Sequence, residues 1–120
     1  FERKILRRIL GPVREGGEWR RRYNKELYDL SREPPLTKMI KVNRLRWLGH
    51  VHRMEENRTT RRLTFGNPHG GRRVGRPRSR WTEECERDLR AIGIRGWREK
   101  AGDRSGWRRS LQEAKTHKGL

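Results

Sequence analysis

The sequence predicts a small all-α fold, and three observations carry that prediction. Apolar residues recur at helical spacing in five segments, glycine and proline fall between those segments, and residues suited to helix ends stand at several boundaries. Between the third and fourth segments lies a basic Gly/Pro/Arg loop.

The elements follow in order. Phe1, Ile5, Leu6 and Ile9 mark a short amphipathic helix that stops near Gly11-Pro12. Trp19, Tyr23, Leu27 and Leu30 share one helix face, so a second helix is expected through them. Alternatively, Asn24 caps a shorter helix and leaves Trp19 in the preceding loop. Pro34-Pro35 ends this element and suits the first turn of the next. The third helix, about 36–54, is the longest, with Leu36, Ile40, Trp47, Val51 and Met54 on one stripe and Asn43 in the skipped position. Lys38, Lys41, Arg46 and Arg53 fall largely off that stripe and form a basic face.

Residues 61–80 read as an extended basic loop, with a short extended piece at Leu63 to Phe65. The fourth helix carries Trp81, Cys85, Leu89 and Ile92 on one face and Glu83, Glu84 and Glu86 in its first turns, where they suit the positive end of the helix dipole. Ser79 or Thr82 caps it. Gly93 suits a left-handed C′ position, with Ile94 folding back on Leu89. After a turn at Trp97 to Ala101, Asp103 caps a last helix with Trp107, Leu111 and Ala114. The expected organisation is therefore amphipathic helices over 1–60, the loop over 61–80 and a helical segment over 81–120, within one domain.

Charge points to a partner class. The chain has 33 Lys and Arg against 15 Asp and Glu, a net charge of +18. Residues 1–60 hold 16 basic and 8 acidic groups and residues 61–120 hold 17 and 7, so the excess is not one basic tail. Between Arg61 and Arg80 stand seven arginines and no acid. Glycine and proline keep that stretch from forming neutralising helical pairs, and unpaired guanidinium groups suit a polyphosphate backbone. The expected partner is RNA or DNA.

Leu, Ile, Val and Phe make only 22 of 120 residues, the composition of a chain on the edge of disorder in isolation. Five tryptophans partly compensate. A lone cysteine, Cys85, excludes an internal disulfide and suggests a reducing, intracellular compartment. No apolar run approaches a membrane span, so no membrane partner is expected. A first residue of Phe1 instead of Met suggests a fragment of something longer.

Elimination speaks against catalysis in this segment. Metal-assisted phosphoryl transfer needs clustered carboxylates, whereas Asp29, Asp88 and Asp103 stand far apart in sequence. The acids near Glu83 have a structural role at a helix start. His50 and His52 point to different helix faces, and one cysteine cannot complete a structural zinc site. Gly70-Gly71 lacks the Lys-Ser/Thr of a phosphate-binding loop. No catalytic residue, metal ligand or cofactor is expected. Cys85 reads as a small buried hydrophobe.

Val74-Gly75-Arg76-Pro77-Arg78 resembles the Arg-Gly-Arg-Pro core of AT-hooks, with Val74 in place of the first arginine. Generic contact with phosphates suits the loop better than minor-groove readout. Trp81 could stack on a base, although its register favours core packing.

Two longer stretches carry a family likeness. RLRWLGHVHRM from Arg44 and GRRVGRPRSRWTEECERDLRAIGIRGWREKAGDRSGW from Gly71 resemble the carboxy-terminal end of the endonuclease–reverse transcriptase polyprotein of LINE-type, non-LTR retrotransposons. FERKILRRILGPV and YNKELYDL resemble the same tail, so the likeness spans nearly the whole chain. It implies a parent RNA-directed DNA polymerase, usually with an endonuclease, whose catalytic aspartates match no position here. Arg44, Trp47, Gly49, His50, Arg76, Pro77, Arg80, Trp81, Asp103, Arg104 and Trp107 are the positions that carry the motif. The Cys/His knuckle of some relatives is missing from this sequence.

The resulting expectation is a nucleic-acid-binding tail of a retrotransposon polymerase. It grips template RNA or target DNA through Arg72, Arg73, Arg76, Arg78 and Arg80, with Arg44 and Arg46 on the third helix. The upstream reverse transcriptase domain is its second expected partner, and its setting a ribonucleoprotein of nucleus and cytoplasm. The competing readings are a structural module docked on that domain and an inactive relic of the element.

Overall fold

The computed structural model describes residues 1–67, 70, 74–75, 79–117 and 119–120. The chain divides into two units, Phe1–Thr37 and Lys38–Leu120. Helices dominate both, in keeping with the expected fold class; a two-stranded hairpin is added to it.

In the first unit, α1 (Glu2–Leu10) is followed by strands β1 (Val13–Glu15) and β2 (Glu18–Arg20) and by α2 (Asn24–Ser31). The strands pair antiparallel, with Val13 opposite Arg20 and Glu15 opposite Glu18. Gly16 and Gly17 make the two-residue connection at φ 59° and 84°. Two consecutive positive φ values are what a tight hairpin with the right-handed strand twist requires, and glycine reaches them without a Cβ clash. This corrects the helix expected from Trp19 to Leu30. Trp19 lies in β2 and α2 starts at Asn24, with Tyr23 as the N-cap residue. The Tyr23 N–H donates to Glu26 Oε2 at 2.7 Å, so the first-turn acid satisfies the helix entrance.

Only one side chain of this unit, Leu27, is buried. Polar links hold the elements instead. Arg20 donates two bonds to Glu26, at 2.7 and 3.0 Å, and also pairs with Glu15. Arg7 reaches Asn24 Oδ1 at 2.6 Å and the Arg22 carbonyl at 3.3 Å, while Arg22 donates to the Gly11 carbonyl at 3.0 Å. Tyr28 donates to Glu2 Oε2 at 3.2 Å.

The second unit contains most of α3 (Leu36–His52), then α4 (Thr59–Phe65), α5 (Trp81–Ala91), α6 (Trp97–Gly102) and α7 (Arg104–Ala114). Its core joins Val42, Leu45 and Leu48 of α3 to Cys85 and Leu89 of α5, Trp97 and Ala101 of α6, and Trp107 and Leu111 of α7. Each fully buried leucine contributes about 1.5–3 kcal/mol over its exposed state. The face of α3 that does this differs from the expected stripe. Leu36, Ile40 and Trp47 are exposed, and Val51 alone of that stripe is fully buried. Aliphatic residues fill the seam, and Gly49 opens a slot there for Trp107. A β-carbon on Gly49 would stand 2.6 Å from Trp107 Cδ1 and 2.9 Å from Cε2. The buried indole N–H of Trp107 donates to the Leu45 carbonyl at 3.2 Å, which removes the desolvation cost of the polar edge.

Helix α4 corrects the extended piece expected at Leu63 to Phe65 and moves the start of the basic loop past Arg61. No glycine or proline interrupts 59–65, and Gly66 ends the helix. Phe65 anchors it, stacked 6.3 Å from Trp97 and edge-on to His52 at 6.2 Å. Arg61 donates to the Met54 carbonyl at 2.9 Å and to the His52 carbonyl, so it satisfies the carboxy-terminal end of α3. His52, held against Trp97 and near Arg61, has its pKa lowered first by burial and then by that cation.

The end of α5 and the start of α7 agree with the sequence. At the end of α5, the Ile94 N–H donates to the Leu89 carbonyl at 2.9 Å and the Gly93 N–H to the Arg90 carbonyl at 3.1 Å, with Gly93 at φ 75°, a Schellman arrangement. The Asp103 carboxylate accepts from the Ser105 and Gly106 N–H groups at 3.1 and 3.0 Å and caps α7. Neither Ser79 nor Thr82 caps α5: Arg80 holds that position and its N–H donates to Glu83 Oε2 at 3.0 Å. Cys85 is buried as expected, and burial pushes its thiol up to about 12.

Candidate nucleic-acid interface

The outer surface of α3 carries Asn43, Arg46, Trp47 and His50, at spacings that keep them on one helical face, and Arg53 follows directly after the helix. The exposed side of α7 supplies Arg104 and Arg108, one turn apart. Together with the inward Trp107 and Leu111 they line a groove of about 670 Å³. Among the described residues that line it there is no carboxylate. Among the described residues, no ion pair forms with Arg46, Arg53, Arg104 or Arg108.

The four guanidinium groups are not equivalent. Arg46 donates to Asn43 Oδ1 at 3.2 Å, a neutral neighbour that fixes it loosely. Arg53 is half-buried and donates to the Ala101 carbonyl at 2.7 Å. Its pKa is lowered, chiefly by burial and further by the like charge of Arg104. An anion between Arg53 and Arg104 would reverse that repulsion. Arg104 and Arg108 are exposed and stand on a capped, core-anchored helix. Such a surface sets several cations on a well-anchored backbone, an arrangement suited to bidentate oxyanions.

A second hollow of about 550 Å³ shares Trp47 with the first. Thr60, Leu63, Thr64 and Gly66 from α4 and its end, and Arg80, Trp81 and Thr82 from the start of α5, complete it. Trp47 is 49% exposed, Leu63 78% and Trp81 37%. Trp81, at the first turn of α5, is thus not part of the core expected from its register. The Trp47 and His50 rings lie 5.2 Å apart at 47°.

The expected contact residues divide. Arg46 lines the first groove and Arg80 the second, where its guanidinium donates to Asn67 Oδ1 at 2.5 Å. Arg44 has another role. It pairs with Asp88, a carboxylate only 5% exposed that Lys41 also approaches at 3.4 Å, so it braces α3 against α5. Its Nε is buried, with no acceptor among the described residues. Arg72, Arg73, Arg76 and Arg78, together with Pro77, lie outside the described residues. Arg108 was not singled out by the sequence; the signal available was its one-turn offset from Arg104 beside the core residue Trp107.

No group of three or more His, Cys, Asp or Glu side chains that could hold a metal ion is present among the described residues. No described helix is long and apolar enough to cross a membrane. No protein-family model, curated protein or solved structure matches the chain.

Proposed function

We propose that this chain is a non-catalytic nucleic-acid-binding segment and that the α3–α7 groove is its principal contact surface. The carrying observation is a groove lined by four arginines and a histidine with no carboxylate among the described residues of its walls. Cations aligned this way gain most from a polyphosphate, whose condensed counterions are released on contact. The acid-free stretch 61–80 adds to the same reading from sequence. The motif likeness extends it to the carboxy-terminal part of a retrotransposon RNA-directed DNA polymerase, with template RNA or target DNA as ligand in an intracellular ribonucleoprotein. Within that likeness Gly49, Trp107 and Asp103 have a common physical basis. Gly49 admits the Trp107 indole and Asp103 caps the helix that bears it.

The test is the salt dependence of binding. Replacing Arg46, Arg104 and Arg108 by glutamine should weaken binding to any sequence. It should also flatten the plot of log K against log salt by about 0.7–0.9 for each phosphate no longer neutralised. The variant with Arg72, Arg73, Arg76, Arg78 and Arg80 changed to glutamine measures the loop in the same way. Unchanged affinity and slope in both variants would refute the proposal.

A second reading applies to the first unit. Phe1, just before α1, and Ile5 and Ile9 within it follow at one-turn spacing and are all exposed, the last at 73%. An apolar helix face of this kind suits docking on an adjoining polymerase domain.

A further inference from the structure

Resting on the nucleic-acid reading, we infer that the ligand is single-stranded and that Trp47 is a stacking platform for one of its bases. Trp47 stands on the ridge shared by the two hollows, half-exposed on a helix whose opposite face is buried in the core. Leaving an indole in water forfeits much of what its burial would contribute, and α3 has aliphatic residues filling its seam instead. The ring is also held on a rigid element, with His50 5.2 Å away on the next turn. Arg46 and Arg104 lie on one side of the ridge and Arg80 on the other.

A strand crossing the ridge therefore meets cations, an aromatic face, and cations again. That order fits a flexible chain whose phosphates follow the arginines while an unstacked base covers the indole. A duplex keeps its base faces stacked inside and offers Trp47 sugar, phosphate and base edges but no open face within the helix. An acidic peptide would satisfy the arginines but gives the indole no flat partner. The shared ligand chemistry is a base on a phosphate strand, and RNA and DNA are its two sources.

The experiment uses the full chain and three labelled probes of about 12 nucleotides, within the span of single-strand sites. These are oligouridylate, oligothymidylate and a mixed-sequence DNA duplex. Anisotropy gives affinity for the wild type, Trp47→Ala, Trp47→Phe and the Arg46/Arg104/Arg108→Gln variant, with circular dichroism checking the fold of each. Trp47→Ala should weaken single-strand binding about five- to a hundredfold, the loss expected for one stacked base. Duplex binding should change less than about twofold, and Trp47→Phe should restore most of the single-strand loss. The ranking of oligouridylate and oligothymidylate then identifies the strand. Equal losses on single strand and duplex, or none on either while the glutamine variant still weakens both, would overturn the stacking role and leave phosphate binding intact. Displacement of the single strand by polyglutamate as readily as by unlabelled oligouridylate would also overturn it. Failure of the wild type to bind any probe would remove both this inference and the function beneath it.

Discussion

The basic clusters of the two units differ in how far acidic side chains engage their arginines. In Phe1–Thr37 the basic cluster of Lys4, Arg7, Arg8, Arg20, Arg21 and Arg22 also surrounds a tryptophan, the exposed Trp19. Yet Arg20 is clasped by Glu15 and Glu26, and Arg7 and Arg22 are bound to backbone carbonyls and Asn24. In Lys38–Leu120 the groove arginines have no carboxylate partner among the described residues. The difference follows from the cores. One buried leucine cannot fix a hairpin and two helices, so guanidinium groups tie the first unit together. The second unit is filled with indole and aliphatic side chains and can present its arginines outward. A basic patch on a sequence is thus available to a ligand only where the fold does not consume it.

The largest expected effect attacks a buried ion pair on which the second unit relies. Replacing Asp88 by alanine leaves Arg44 half-buried without its partner and should cost about 3–5 kcal/mol. Urea unfolding should show the loss. A change below about 1 kcal/mol would mean that the aliphatic core alone sets this unit's stability, which would widen the contrast with the first.

Gly49→Ala tests the core itself. The added carbon must displace the Trp107 indole, with a penalty of about 1–3 kcal/mol. Near-ultraviolet circular dichroism should register the moved indole. A variant as stable as the wild type, with an unchanged aromatic spectrum, would refute the close approach.

The smallest effect concerns the first unit. Glu26 is held down at about 2, first by the Arg20 guanidinium and then by the Tyr23 N–H. Its folded value lies below the ordinary 4.5, so its favourable contribution is complete above that pH and is lost as pH falls through about 2. Glu26→Gln should remove this part of the acid dependence of the helical signal. Combined with Glu15→Gln it frees Arg20, and elution from immobilised heparin should shift to slightly higher salt. Elution at the wild-type salt concentration would show that the first unit's arginines remain occupied for reasons other than these acids.

Much of the helical skeleton was legible because its signals are local. Asp103 before a Trp107–Leu111–Ala114 stripe and Gly93 before Ile94 each determine a helix end within a few residues. The hairpin was also local, a Gly-Gly pair between short β-prone segments, but the helical spacing of Trp19, Tyr23 and Leu27 competed with it. Helix α4 was hidden by the arginines within it, because a charged run beside glycine resembles loop although arginine is a good helix former.

By itself the sequence determined an arginine-rich helical chain with an overwhelming positive balance, since composition and nearest-neighbour backbone preferences need no distant partner. Which arginines remain available was decided only in three dimensions. Arg44 and Arg46 are two residues apart, yet one pairs with Asp88 and the other faces solvent. Two helical residues at that spacing differ by about 200° in direction. Only packing of α3 through Val42, Leu45 and Leu48 decides which direction is the inside.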